Sequence, residues 1–144
     1  TIYRKLLESE QALSKAVNIS PDSYFPLYGY GRTLLVSAQY ETAAEMLQRA
    51  LDAGAPTETT VDLAEAYFRS GQRDIARTLL NQMSPPSEPA RRWMYDLIIG
   101  NQPSLEGAGR AFWDETARRF EGTPYGAVLQ EDLQQLTTLT AKDA

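Results

Sequence analysis

The chain reads as an all-α protein of about eight helices, arranged as antiparallel helix-turn-helix repeats stacked on one another. Three observations carry that expectation. Apolar residues recur at spacings of three, four and seven, and no window sustains the alternation of a strand. Clusters of Pro, Gly and Ser break the chain at intervals suited to short helices. The stretch Tyr24 to Pro56 reads as helix, tight turn, second helix and stop, and it has echoes about 34 residues to either side. Alone, that hairpin could not bury its apolar faces; stacked on copies of itself it could.

The elements follow in order. Residues 2–18 place Ile2, Leu6, Leu13, Ala16 and Val17 at helical spacing, and Pro21 ends that segment. Asp22 or Ser23 is a candidate N-cap for a helix from Phe25 to Val36, with Leu27, Tyr30, Leu34 and Leu35 as its core candidates. Pro26 suits a first helical turn, where its missing N–H costs nothing. After a turn at Ser37 to Gln39, a helix over Glu41 to Ala53 is expected, stopped by Gly54 and Pro56. A fourth helix is expected over Thr57 to Arg69, opened by Thr59 or Thr60, and a fifth over Arg73 to Met83, with Ile75, Ala76, Leu79 and Leu80 inward. The run SPPSEP cannot continue a helix. A sixth helix over Ala90 to Ile99 carries Trp93, Met94, Leu97 and Ile98. Ser104 is the expected cap of a seventh, reaching about Phe120, with Leu105, Ala108, Phe112, Ala117 and Phe120 on its apolar side. The last, Tyr125 to Leu139, is expected to fray into polar TAKDA.

Length and composition bound the function. At 144 residues the chain is the size of one domain, residues 1–144. Fourteen Lys and Arg stand against nineteen Asp and Glu, a net charge of −5 that argues against nucleic acid as a partner. With neither Cys nor His present, disulfides, thiolate nucleophiles, Ser-His-Asp relays and His-ligated metals are excluded. No metal or other cofactor is therefore expected. The longest apolar runs, such as Leu34 to Val36, fall far short of a membrane span of roughly 20 residues, so no membrane insertion is expected.

Superposing the helices exposes the repeat. Ala16 and Ala50 are 34 positions apart, as are Leu13 and Leu47, and Val17 and Leu51; Ala43 to Ala76 and Leu47 to Leu80 are 33. This register resembles the tetratricopeptide repeat family, whose units are paired antiparallel helices. The family's small residue on the first helix matches Gly31 and Ala64, and its tyrosine matches Tyr67, with Leu34 one unit earlier. Its turn glycine matches Gly71, with Ala38 in its place in the preceding unit, and its aromatic two residues on matches Tyr40, where Arg73 departs. Its close-packing alanine matches Ala43 and Ala76, the bulky residue after it matches Leu47 and Leu80, and its next alanine matches Ala16 and Ala50, with Met83 in the second full unit. The resemblance implies a right-handed α-solenoid: a second helix of a partial repeat at 2–18, repeats at 24–56 and 57–86, a degenerate repeat at 87–121 and a capping helix at 124–139. Because 2–18 matches only a second helix, the chain is expected to be part of a larger protein.

Several motifs invite sharper readings. Gly29-Tyr30-Gly31 and Gly107-Ala108-Gly109 lie within predicted helices with no strand before them, so they read as packing glycines rather than phosphate loops. Asp114-Glu115 and Glu131-Asp132 are adjacent on helices and diverge by about 100°, so they read as solvated faces rather than paired catalytic acids. Arg91-Arg92 and Arg118-Arg119 read the same way. In the resembled family the first helix of each pair lines a concave groove. That places Phe25, Tyr28 and Arg32, then Val61, Glu65 and Phe68, then Arg91, Met94 and Tyr95 on the ligand face, where aromatic and Arg groups suit an extended peptide or a helix. Several of these could equally pack between helices. The Lys, Asn and Arg set with which some members hold chaperone tails is absent, since Tyr28, Arg32 and Asp62 stand there instead.

The expected function is a non-catalytic module that binds a protein or peptide partner through this groove. The alternative is self-association within a larger secretion or assembly protein, its groove empty or filled by its own chain.

Overall fold

Periodic apolar positions and local end signals become eight α-helices in the computed structural model, which describes residues 2–101, 103 and 106–143. They are α1 (Ile2–Ile19), α2 (Tyr24–Val36), α3 (Tyr40–Asp52), α4 (Thr59–Arg69), α5 (Arg73–Asn81), α6 (Pro89–Ile99), α7 (Gly107–Arg119) and α8 (Pro124–Asp143). No strand occurs among the described residues. Each helix packs on the next, and α2 also meets α4, and α4 meets α6. The protein is all-α, and its helices stack in chain order.

The turns within the hairpins are wired alike. The Gln39 N–H donates to Leu34 O at 2.9 Å and the Ala38 N–H to Leu35 O at 3.1 Å. One unit later the Gln72 N–H donates to Tyr67 O at 2.8 Å and the Gly71 N–H to Phe68 O at 3.2 Å. Both closures need a left-handed residue after the helix. Gly71 supplies it at φ 89°, and Ala38 does so at φ 62° despite its Cβ.

Small residues set the helix spacing. A Cβ on Gly31 would stand 2.7 Å from Leu47 Cγ, so α2 and α3 lie closer there than any side chain on residue 31 would allow. Ala43, Ala50, Ala64 and Ala76 are fully buried at the corresponding contacts. Bulky neighbours fill the remaining space: Leu27, Leu34, Leu35, Leu47 and Leu80 are buried, each contributing roughly 1.5–3 kcal/mol.

Two cores result. The first joins Val17, Leu27, Leu34, Leu35 and Leu47 to Leu63 and Ala66 of α4. The second joins Val61 and Ala64, on the other side of α4, to Trp93, Trp113, Phe120 and Leu129. Helix α4 serves both, and residues 61–66 are consequently buried without interruption.

The structure corrects several sequence expectations. Helix α4 opens at Thr59, α5 ends at Asn81, and α8 continues to Asp143 because TAKD contains no Pro or Gly to stop it. Helix α7 begins at Gly107, whose φ of 90° sets it at a boundary rather than inside a helix. The proposed cap Ser104 and its neighbour Leu105 lie outside the described residues. On α7 the buried line is Trp113, Ala117 and Phe120, while Ala108 is exposed and Phe112 is 54% exposed. Trp113 tilts against Trp93 with ring centroids 5.8 Å apart, and that larger aromatic contact sets the rotation of the helix. Ile75 is exposed because Ala76 and Leu80 take the inward side of α5.

Helix α8 packs on α7. The Thr123 hydroxyl starts it, accepting from the Gly126 N–H at 3.1 Å while donating to Phe120 O at 2.6 Å. From there α8 returns along the molecule. Thr123 and Pro124 border a hollow of about 170 Å³ shared with Leu6, Leu7 and Glu10 of α1.

Candidate functional site

Helices α2, α4 and α6 bring polar residues to a common point. Asp62 of α4 is buried, and a buried carboxylate is stable only when paired. Its Oδ1 accepts from Arg32 Nη1 at 3.1 Å and its Oδ2 from Arg91 Nη2 at 3.3 Å. Arg91 Nη2 also donates to the Tyr28 hydroxyl at 2.8 Å, and its Nη1 to Glu88 at 3.3 Å. One carboxylate therefore ties three helices together. Asp62 holds the Arg32 guanidinium further toward its charged form against the opposing effect of burial. For Arg91, burial acts to lower the pKa, but Asp62 and Tyr28 outweigh it and the net shift is upward.

A second charged cluster ties α8 to α4. Arg69 Nε donates to Glu65 Oε2 at 3.2 Å, and its other nitrogens reach Asp132 Oδ1 at 3.1 Å and Oδ2 at 2.8 Å. The Tyr125 hydroxyl donates to the same Glu65 oxygen at 2.8 Å. Burial pushes the Tyr125 hydroxyl well above its ordinary value, and the Glu65 charge adds to that. Burial also raises the Asp132 carboxyl, with Arg69 opposing. Burial alone would lower the Arg69 guanidinium, yet Glu65 and Asp132 leave it raised. Asp132 is thus a largely buried ion-pair partner and not the solvated acid that Glu131-Asp132 suggested; Glu131 remains exposed. Arg91 is likewise half-buried and paired, whereas Arg92 is exposed and pairs with Asp96 along its own helix.

Between the two clusters lies a cavity of about 210 Å³, walled by α4, α6, α7 and α8 and edged by Arg32 of α2. Val61, Trp93, Met94, Trp113 and Leu129 make its apolar walls, with Phe112 exposed beside it. Arg32, Arg91, Asp62, Glu65 and Glu88 make its polar side. The Trp113 Nε1–H and the Arg91 Nε–H are buried with no acceptor among the described residues.

Of the residues expected on a ligand face, Arg32, Val61, Glu65 and Arg91 line this cavity, as does Met94. Tyr28 reaches it through Arg91. Phe25 does not: it is 74% exposed and packs on Tyr24, ring centroids 5.7 Å apart. Phe68 is half-buried under the guanidinium of Arg73 at 5.1 Å. Tyr95 is buried in the second core. The sequence reading missed Asp62 as a hub and Trp113 and Leu129 as walls. Asp62 was legible in principle, since a lone acid amid Val61, Leu63 and Ala64 has to find a cation.

No group of three or more Asp or Glu side chains among the described residues is placed to hold a metal ion. No helix among them is long and apolar enough to cross a membrane. Comparisons with family models, with curated proteins and with solved structures found no match for this chain.

Proposed function

We propose that this chain is a non-catalytic, tetratricopeptide-like interaction module that holds a peptide or helix of a partner protein on the face formed by α2, α4 and α6. The observation that carries the reading is the apolar cavity with a rim of Arg32 and Arg91 on that face. Apolar walls supply the anchor and guanidinium groups supply orientation, the division of labour that peptide grooves use. The repeat register, the shared turn wiring and the Gly31–Leu47 contact support the family reading.

Selection from a displayed random-peptide library tests it. The expected result is a convergent set of binders whose capture is lost in Tyr28→Ala or Arg32→Ala while far-ultraviolet circular dichroism is unchanged. Failure to enrich any binder, or a catalytic turnover abolished by one point substitution in a folded protein, would overturn it.

A second reading, self-association within a larger assembly, is favoured by a separate observation. Ile19 is 81% exposed, and Phe25 and Leu7 are also open to solvent. Light scattering that finds a dimer, broken by Ile19→Ser with Phe25→Ser or by changes on α8, would establish it.

A further inference from the structure

The cavity is small, and its size restricts what enters. A site of about 150 Å³ lined by aliphatic and aromatic groups accepts a benzene ring, and pockets for drug-sized molecules begin at about 300 Å³. At about 210 Å³ this one has room for a single large side chain and cannot enclose a nucleotide or coenzyme.

Its charges restrict the ligand further. Asp62 uses both oxygens on Arg32 and Arg91, and Glu65 is engaged by Arg69 and Tyr125. The lining holds three carboxylates (Asp62, Glu65 and Glu88) against two guanidinium groups, so an anion would enter a site short of positive charge. A cation would stand beside Arg32 and Arg91 and find the two buried acids already paired. A neutral ligand escapes both penalties. It still needs one acceptor, because Arg32 is 39% exposed and, beyond Asp62, has no hydrogen-bond partner among the described residues. The unpaired indole N–H of Trp113 is a second donor in the wall. It is shielded from solvent as the ring stands, so a ligand carbonyl engages it only with a small tilt of the indole.

We infer that the cavity is an anchor site for one uncharged, Phe- or Leu-sized residue in the interior of a partner polypeptide, its side chain between Trp113 and Leu129 and its backbone carbonyl accepting from Arg32. This rests on the peptide-binding reading and makes it specific: the anchor is apolar, neutral and not a chain terminus.

The test uses the protein's own reporters, since its two tryptophans, Trp93 and Trp113, both line the cavity. N-acetyl-phenylalaninamide is expected to change tryptophan emission saturably. N-acetyl-phenylalanine, which carries a free carboxylate, should bind at least about tenfold more weakly, and N-acetyl-lysinamide should give no saturable change. Filling the cavity with Ala90→Leu, or separately with Thr116→Leu, should abolish the response, with thermal melts confirming that each variant folds. Equal or tighter binding of the free acid would overturn the proposal, as would a response to the lysine probe or none to any probe. A response that appears only in Phe25→Ser, at concentrations where wild type self-associates, would also overturn it, by making a second copy the occupant. The two readings fail separately. Selected peptides that lack a large apolar residue, or that bind the filled variants unchanged, would sink the anchor site and leave peptide binding standing. A saturable response to N-acetyl-phenylalaninamide with no selectable peptide would do the reverse.

Discussion

The two cores on either side of α4 solve the same packing problem with different residues. The first uses small and aliphatic groups at repeat positions, Gly31 against Leu47 and Ala43 and Ala50 at the contacts, and it closes tightly. The second uses Trp93, Trp113, Phe120 and Tyr125, whose flat rings meet at tilted or edge-on angles. Rings of that size do not interdigitate as aliphatic side chains do, and here they leave the 210 Å³ cavity. The difference is one of outcome as well as composition: regular small-and-large packing builds a stack, and irregular aromatic packing leaves room beside it.

The widest test of that contrast is the charged link that carries α8 back to α4. Arg69→Ala leaves the buried Glu65 and the largely buried Asp132 without their cation and is expected to cost about 3–5 kcal/mol in chemical denaturation. A loss under about 1 kcal/mol would mean that apolar contacts alone hold α8 and that the second core does not depend on its polar edge.

The tightness of the first core can be broken from either side. Gly31→Ala overpacks the α2–α3 contact and should destabilise by about 1–3 kcal/mol. Leu47→Ala opens a cavity and should cost about 2–5 kcal/mol. The double variant is expected to be more stable than the sum of the singles implies, by at least about 0.5 kcal/mol, because the new methyl enters the vacated space. Strict additivity would show that the two residues do not share that contact.

A smaller effect separates the two turns. Gly71→Ala should destabilise by roughly 1 kcal/mol and Ala38→Gly should stabilise by up to about 1 kcal/mol, since both sites are left-handed and only one has glycine. Opposite signs in thermal melts would confirm that the turns are equivalent.

The smallest effect is in the pH dependence. Burial raises the Asp132 carboxyl, so the folded state holds this proton more tightly than the unfolded chain does. Stability contributed through this group is then present at low pH and lost as pH rises through the folded pKa. Relative to Asp132→Asn, wild type should gain stability on acidification from neutral pH toward pH 4. A relative loss over that range would show that Arg69 outweighs burial.

Helix existence, the approximate ends of α1 to α6 and the alternation of small and large residues were legible in the chain, because each depends on neighbours within a turn or two. Half of the candidate site was legible too, though not from spacing alone: spacing put Val61 and Glu65 on one side of their helix, and it was the resemblance to the tetratricopeptide repeat that implied a common face for Arg32, Val61, Glu65 and Arg91. What spacing could not show is what covers a face. It predicted Phe112 inward and missed Trp113, because periodicity locates an apolar stripe to within about one residue and tertiary contact chooses the rotation. It read Asp132 as solvated because its partner, Arg69, lies 63 residues away. Tyr125 finds Glu65 across 60 residues and Arg91 finds Tyr28 across 63. By itself, the sequence determined the helices and the residues that let them approach. Tertiary structure alone decided that α8 would return to α4 and wall a cavity, because that outcome rests on contacts between groups far apart in the chain, whose pairing leaves no periodic trace.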